Sequence, residues 1–194
     1  MGFKHSWIAV QGLEPERALE MLGMEVAEVL ERDYFPDGIG MTTLPNGWLL
    51  FLADRSADAL SGKLRALADA GPAVGCDISE MLMCSEAVGF EGGKQAWRVE
   101  YDCSAGRYTL KTEGNLPPQL DAIFLEARAA QEAEGGEDAG VDCMFDVPAK
   151  LAQSICGFML GEDGPEGCFS QLRRIGGGKT PSRPGFFARL FGRS

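Results

Sequence analysis

The alternation of apolar and polar residues is cleanest between positions 95 and 113. Charged residues take one side of an extended chain from 95 to 103, and the other side carries Trp97, Val99, Tyr101 and Cys103. This period of two is typical of a strand with one buried face. A second alternating run, residues 107–113, follows a turn at Ser104-Ala105-Gly106. The two runs therefore predict a β-hairpin.

Charge selects the register of this hairpin. Placing Glu100 opposite Lys111 also places Arg98 opposite Glu113, so two oppositely charged pairs form. A shift of two residues would place Arg98 opposite Lys111, and like charges that face each other across a sheet are destabilising. We therefore expect the first register.

A second hairpin is predicted at Asn46-Gly47, between the apolar segments 41–44 and 48–53. Asn-Gly between two such segments favours a two-residue type I′ turn. The second arm, Trp-Leu-Leu-Phe-Leu-Ala, is apolar without alternation. Such a strand is covered on both faces, so we expect it near the centre of the sheet.

Shorter signals predict the other elements. A proline near the start and a glycine at the end delimit a first helix, Pro15 to Leu22. The remaining predictions are strands at 6–11, 25–30 and 74–78, and helices between Ser56 and Gly71, from Pro117, and from Asp146. Strands joined by hairpins, with helices between them, are typical of the α+β class. We expect a mostly antiparallel sheet with helices packed on one side, and some pairs in the first half would also fit parallel pairing.

The pattern decays after Gly157, where glycine, proline and charged residues dominate. We therefore expect one folded domain, residues 1–172, followed by a glycine- and proline-rich linker and tail, residues 173–194. The hydrophobic share of 45% is that of a folded globular protein. No stretch approaches the roughly 20 apolar residues that cross a bilayer, and no signal-peptide core is present. These features favour a cytoplasmic protein.

Charge is unevenly distributed along the chain. The net charge is −11, but the last 22 residues hold six basic residues and no acidic one, so the rest carries −17. An acidic body repels nucleic acid and anionic lipid and favours basic partners. We therefore expect a protein partner, and no nucleic acid, for the domain.

The basic tail is also aromatic. If it were helical, its apolar residues would span an arc of about 140°, flanked by arginines. Exposed aromatic residues of this kind are covered by something, which leaves three alternatives: the tail's own domain, a groove on a partner, or an anionic membrane surface. The expected contact residues for a partner or a membrane are Phe186, Phe187, Arg189, Leu190, Phe191 and Arg193.

No motif in the chain indicates a catalytic, cofactor or metal site. Gly176 to Thr180 resembles the end of a phosphate-binding P-loop, but Arg173 stands where the first glycine is needed, and Pro181 opposes the helix that must follow. His5 is the single histidine, and the six cysteines are scattered without a Cys-x-x-Cys pair. We expect free structural thiols, with Cys76, Cys103 and Cys156 buried in apolar runs. The acidic residues from 134 to 138 lack calcium-loop spacing and predict a solvated loop.

Three segments carry a resemblance to known sequences: residues 5–12 (HSWIAVQG), 44–48 (LPNGW) and 145–148 (FDVP). The chain up to about residue 160 resembles small uncharacterised bacterial proteins. The resemblance implies a bacterial source and carries no activity or site.

The sequence leaves three functional hypotheses. The first is a non-enzymatic protein-binding module, such as an adaptor or a toxin-neutralising immunity protein, because these use acidic surface to match a basic partner. The second is a peripheral membrane protein attached through the tail. The third is a hydrolase whose carboxylates the sequence does not distinguish from solvated surface.

Overall fold

The fold is a single nine-stranded sheet. The computed structural model describes residues 4–31, 36, 38–54, 60, 62–160 and 168–176. The strands are β1 (Lys4–Gln11), β2 (Met24–Val29), β3 (Ile39–Thr43), β4 (Trp48–Asp54), β5 (Ala73–Ser79), β6 (Cys84–Glu91), β7 (Lys94–Asp102), β8 (Leu110–Gly114) and β9 (Ser170–Arg174). Their order is β2-β9-β3-β4-β1-β5-β6-β7-β8. Every described pair is antiparallel, so the α+β class with an antiparallel sheet is confirmed.

Helices lie on both faces of this sheet. They are α1 (Pro15–Leu22), α2 (Gly62–Arg65), which continues into a 3₁₀ turn (Ala66–Asp69), α3 (Gln119–Ala133) and α4 (Val147–Cys156). The two longest, α3 and α4, share one face, as expected. The short helices α1 and α2 cover the other face, which the sequence analysis did not expect. The reason is that the central strands are apolar on both sides, so each side must be shielded from water.

Two apolar cores result, one on each face. The first core, under α3 and α4, contains Trp7, Leu50, Leu52, Val99, Tyr101, Leu120, Met144 and Leu151. The second core, under α1 and α2, contains Ile8, Val10, Leu22, Leu49, Phe51, Leu64, Leu67 and Leu172. Adjacent residues of β1 and β4 belong to opposite cores, and β4 lies between β3 and β1 as predicted.

The hairpin of β7 and β8 has the predicted register. Arg98 faces Glu113, and Glu100 faces Lys111, whose Nζ lies 3.3 Å from Glu100 Oε2. Strand β8 begins at residue 110 instead of 107, because a 3₁₀ turn (Cys103–Ala105) and a loop lengthen the connection. Cys103 therefore lies in the turn and is exposed, not buried as expected.

The hairpin of β3 and β4 differs from the prediction by one residue. Its loop has three residues, Pro45 to Gly47: the Leu44 amide donates to the Trp48 carbonyl at 2.8 Å, and the Gly47 amide to the Leu44 carbonyl at 2.9 Å. Gly47 has φ of 84°, while Asn46 does not share the positive φ that a type I′ turn requires at both central positions. Proline, whose φ is fixed near −65°, takes the first central position and shifts the turn.

Strand β9 was missed by the sequence analysis. It inserts between β2 and β3, where Leu172 and Phe169 are buried. Its sequence, Ser-Gln-Leu-Arg-Arg, has one apolar residue, so it shows no strand periodicity. It extends two residues beyond the expected boundary at 172.

The packing of Trp97 against Gly89 gives a test of this sheet. The two residues face each other across β6 and β7, and a Cβ atom on Gly89 would lie 2.0 Å from Trp97 Nε1. The Gly89→Ala change should therefore lower the free energy of unfolding by about 1–3 kcal/mol, because a buried indole must move. Urea denaturation measures this change.

Gly140→Ala is the matched control, because a Cβ there would meet no atom within 4 Å. We expect its stability to stay within about 0.5 kcal/mol of the wild type. Equal stability of the two variants would contradict the packing of Trp97 on Gly89.

Candidate functional site

The strongest concentration of one charge lies on α3 and the loop that follows it. Residues 119–142 contain seven carboxylates and one basic side chain, Arg128. Six of these carboxylates are exposed, and none of the six forms an ion pair with a residue that the structure describes. One of them, Glu132, accepts a hydrogen bond from the Tyr108 hydroxyl at 2.7 Å. We call the other five the acidic surface: Asp121, Glu126, Glu134, Glu137 and Asp138.

Exposed apolar side chains lie within the same segment. Helix α3 turns Leu120 and Ala127 into the first core, while Leu125 on its outer side is 62% exposed. Val141, after the loop, is 55% exposed. Leu125 and Val141 therefore add exposed apolar area to the segment that carries the carboxylates.

A buried glutamine holds the loop that carries three of these carboxylates. Gln131 is fully buried on the inner side of α3. Its Nε2 donates to the carbonyl oxygens of Gly136 at 2.8 Å and Val141 at 3.0 Å, and its Oε1 accepts from the Cys143 amide at 2.7 Å. One side chain therefore satisfies three backbone groups of the loop.

Arg107 supports the loop from the β7–β8 connection. Its Nη1 lies 2.8 Å from the carbonyl oxygen of Ala139, 3.2 Å from that of Val141 and 3.4 Å from that of Gly136. Arg107 forms no ion pair with a carboxylate among the described residues. The residue that holds the loop in place thus leaves the acidic surface without a salt bridge.

Asp142 fixes the end of the loop to the sheet. The Tyr101 hydroxyl donates to Asp142 Oδ2 at 2.6 Å, and the amides of Met144 and Phe145 donate to Oδ1 at 3.1 and 3.2 Å. Burial, with the hydrogen bond to Asp142, raises the pKa of Tyr101, so its hydroxyl stays a donor. The loop is therefore attached at both ends.

The sequence predicts a solvated loop here, and the hydrogen bonds that Gln131 and Arg107 make to this loop were not predicted. Gln131 lies four residues after the buried Ala127, so both side chains are on the inner side of α3. A polar residue at such a position was the sequence signal for a buried hydrogen-bonding group. The contacts of Arg107 could not be found in this way, because they join residues about 30 positions apart.

A second candidate is a cleft of about 490 Å³ over β5, β6 and β7 on the face of the second core. Phe90 and Val88 form its floor, and the Arg65 guanidinium lies 4.4 Å from the centre of the Phe90 ring. Asp77 and Glu86 face each other across β5 and β6. This carboxylate pair bears on the hydrolase hypothesis.

The carboxylates of this cleft already have partners. Arg98 Nε lies 2.9 Å from Glu86 Oε1, and its Nη2 donates to Oε2 at 3.0 Å. The Ser6 hydroxyl donates to Asp77 Oδ1. Burial raises the pKa of Glu86 and Asp77 adds to this, while Arg98 opposes it. A general acid or base needs an oxygen directed at the substrate, whereas both oxygens of Glu86 lie within 3.0 Å of Arg98 nitrogens.

The thiols do not form a site in the described structure. All six cysteines are free. Cys76 and Cys156 are buried as expected, and burial raises both pKa values, that of Cys156 to about 11. Both therefore stay protonated and unreactive near neutral pH. No group of three or more metal-ligating side chains occurs in the part of the chain that the structure describes.

The tail residues expected to contact a partner or a membrane, Phe186, Phe187, Arg189, Leu190, Phe191 and Arg193, lie outside the described residues. Their role stays a prediction. In the described ranges, no helix has the length and apolar character that crossing a membrane requires.

The support of the loop by Gln131 can be tested with Gln131→Met, which keeps the side-chain size. Arg107 still reaches the two carbonyls, so the Cys143 amide is the group left without a partner. A buried orphan donor costs about 1–3 kcal/mol, which urea denaturation should detect. Amide hydrogen exchange in residues 134–142 should also become faster. Gln153→Met, on the exposed side of α4, is the control and should change neither quantity.

In the comparisons with known proteins, no family model, no curated protein and no solved structure matches the chain. The resemblance to small bacterial proteins therefore stays untested.

Proposed function

We propose that the protein is a non-enzymatic protein-binding module, of the adaptor or immunity-protein kind, whose acidic surface binds a basic protein partner. The observation that carries the proposal is that this surface is both uncompensated and fixed. Its five carboxylates form no ion pair in the described structure; two of them lie on α3, and the loop that carries the other three is held by Gln131, Arg107 and Asp142.

Fixed like charges oppose folding, because they repel one another in the compact state. A flexible loop would let Glu134, Glu137 and Asp138 move apart. The polar contacts of the loop instead hold them within the five residues 134–138. A cost in stability of this kind is typical of functional surfaces, where preorganised groups bind without a further loss of conformational entropy.

The chemistry of the surface favours a protein partner with exposed Lys and Arg residues. Carboxylates repel phosphates, which argues against nucleic acid. Leu125 and Val141 add exposed apolar area, which a protein partner can bury and a small cation cannot. Opposite charge would also accelerate the encounter of the two proteins.

Charge reversal on the acidic surface tests the proposal. The triple variant Glu126→Lys, Glu134→Lys, Glu137→Lys should no longer capture the basic partner from a lysate of the native source. With the purified partner, its association rate constant should fall at least about 10-fold at low ionic strength. The wild-type rate constant should itself fall as salt is added.

The control is a second triple variant with the same change in charge on another helix: Glu14→Lys, Glu16→Lys, Glu20→Lys on and beside α1. It should capture the partner as the wild type does, and thermal melting should show that both variants are folded. Capture that is unaffected by the first triple variant would show that the acidic surface is not the interface.

A further inference from the structure

Exposed apolar residues gather at the β2 edge of the sheet. Val26 and Val29 on β2 are 40% and 67% exposed, and Ile175 after β9 is 64% exposed. One side of β2 pairs with β9, and no described strand pairs with its other side. This outer side presents unpaired backbone groups, which a further strand can bond.

The two faces of β2 differ in chemistry. A register shift between Val26 and Glu28 places Val26, opposite the buried Leu172, and Val29, opposite Ser170, on the same face of β2. The two valines make this face of β2 apolar. Glu25 and Glu28 take the opposite face, where Glu25 Oε1 lies 2.8 Å from Arg173 Nε. A strand that pairs here meets apolar side chains on one face and carboxylates on the other.

We propose that this edge binds the chain's own C-terminal segment, residues 185–193, as an additional strand. In an extended chain, alternate residues point to opposite faces. Residues 186, 188 and 190 are Phe, Ala and Leu, and these match the apolar face of β2. The alternate positions carry Arg189 and Arg193, which match the carboxylate face, together with Phe187 and Phe191.

The position of the last described residues makes this pairing reachable. The Ile175 amide donates to the Gly23 carbonyl at 3.2 Å, so the chain leaves the sheet beside the first residue of β2. Nine residues separate Gly176 from Phe186, and they span up to about 30 Å when extended. The whole of β2 is only about 20 Å long, so either direction of pairing is within reach.

Other occupants fit this edge less well. A second copy pairing through β2 itself would bring Glu25 and Glu28 close to the same carboxylates of its partner. The opposite edge, β8, carries an exposed lysine, Lys111, which discourages strand addition. A tail joined by a short linker has an effective concentration at the edge in the millimolar range. Even a weakly pairing tail would therefore be bound most of the time.

Hydrogen–deuterium exchange of the full-length protein tests the proposal. The Leu190→Asp change places a charge against the apolar face, so amide exchange in residues 24–29 should become at least about 10-fold faster. Exchange in β6 should stay unchanged. Leu125→Asp, the same change at an exposed leucine on α3, is the control and should leave residues 24–29 unaffected. Equal exchange in Leu190→Asp and the wild type would overturn the proposal.

Swapping two opposite charges distinguishes docking of the tail on β2 from a general effect of the tail. Glu28→Lys alone should accelerate exchange in residues 24–29, and Glu28→Lys combined with Arg189→Glu should restore slow exchange. Protection that falls on dilution would assign the bound tail to a second copy and overturn the intramolecular proposal. Protection that appears only with anionic vesicles would overturn it in favour of membrane binding.

Discussion

The structure depends on the burial of both faces of its central strands. Neighbouring residues of β1 and β4 enter opposite cores, so neither strand has a side that water can reach. Burying a large apolar side chain stabilises the fold by about 1.5–3 kcal/mol, and these two strands contribute six of the twelve largest fully buried side chains among the described residues. Helices must therefore cover both faces, and the position of α1, α2, α3 and α4 follows from that requirement.

The helices cover the sheet less completely toward its two edges, and the charged side chains discussed above lie there. On one face, β5, β6 and β7 extend beyond α2, and the ion pair of Glu86 with Arg98 fills that area. On the other face, α3 contacts the β7–β8 connection, where the Tyr108 hydroxyl donates to Glu132 Oε1 at 2.7 Å, and the outer side of α3 meets solvent. The acidic surface and the β2 edge thus occur where the apolar cores end.

Hydrogen bonds from three side chains hold the loop after α3 in its conformation. Gln131, Arg107 and Asp142 between them bond carbonyls and amides from residue 136 to residue 145. None of these bonds removes charge from Glu134, Glu137 or Asp138. The same contacts that stabilise the loop therefore keep its carboxylates available, which links the local structure to the proposed binding function.

The sequence by itself determined the local elements and the charge distribution. Alternation identified β7, opposite charges selected its register with β8, and Pro15 and Gly23 delimited α1. Only the tertiary structure decided the rest. Strand β9 has only one buried side chain and no apolar periodicity. It is a strand because it pairs with β2 on one side and β3 on the other. The support of the acidic loop joins residues far apart in the chain, and such contacts leave no local periodicity. Local patterns record which residues meet water, whereas the partners of a buried polar group are set by the folded chain.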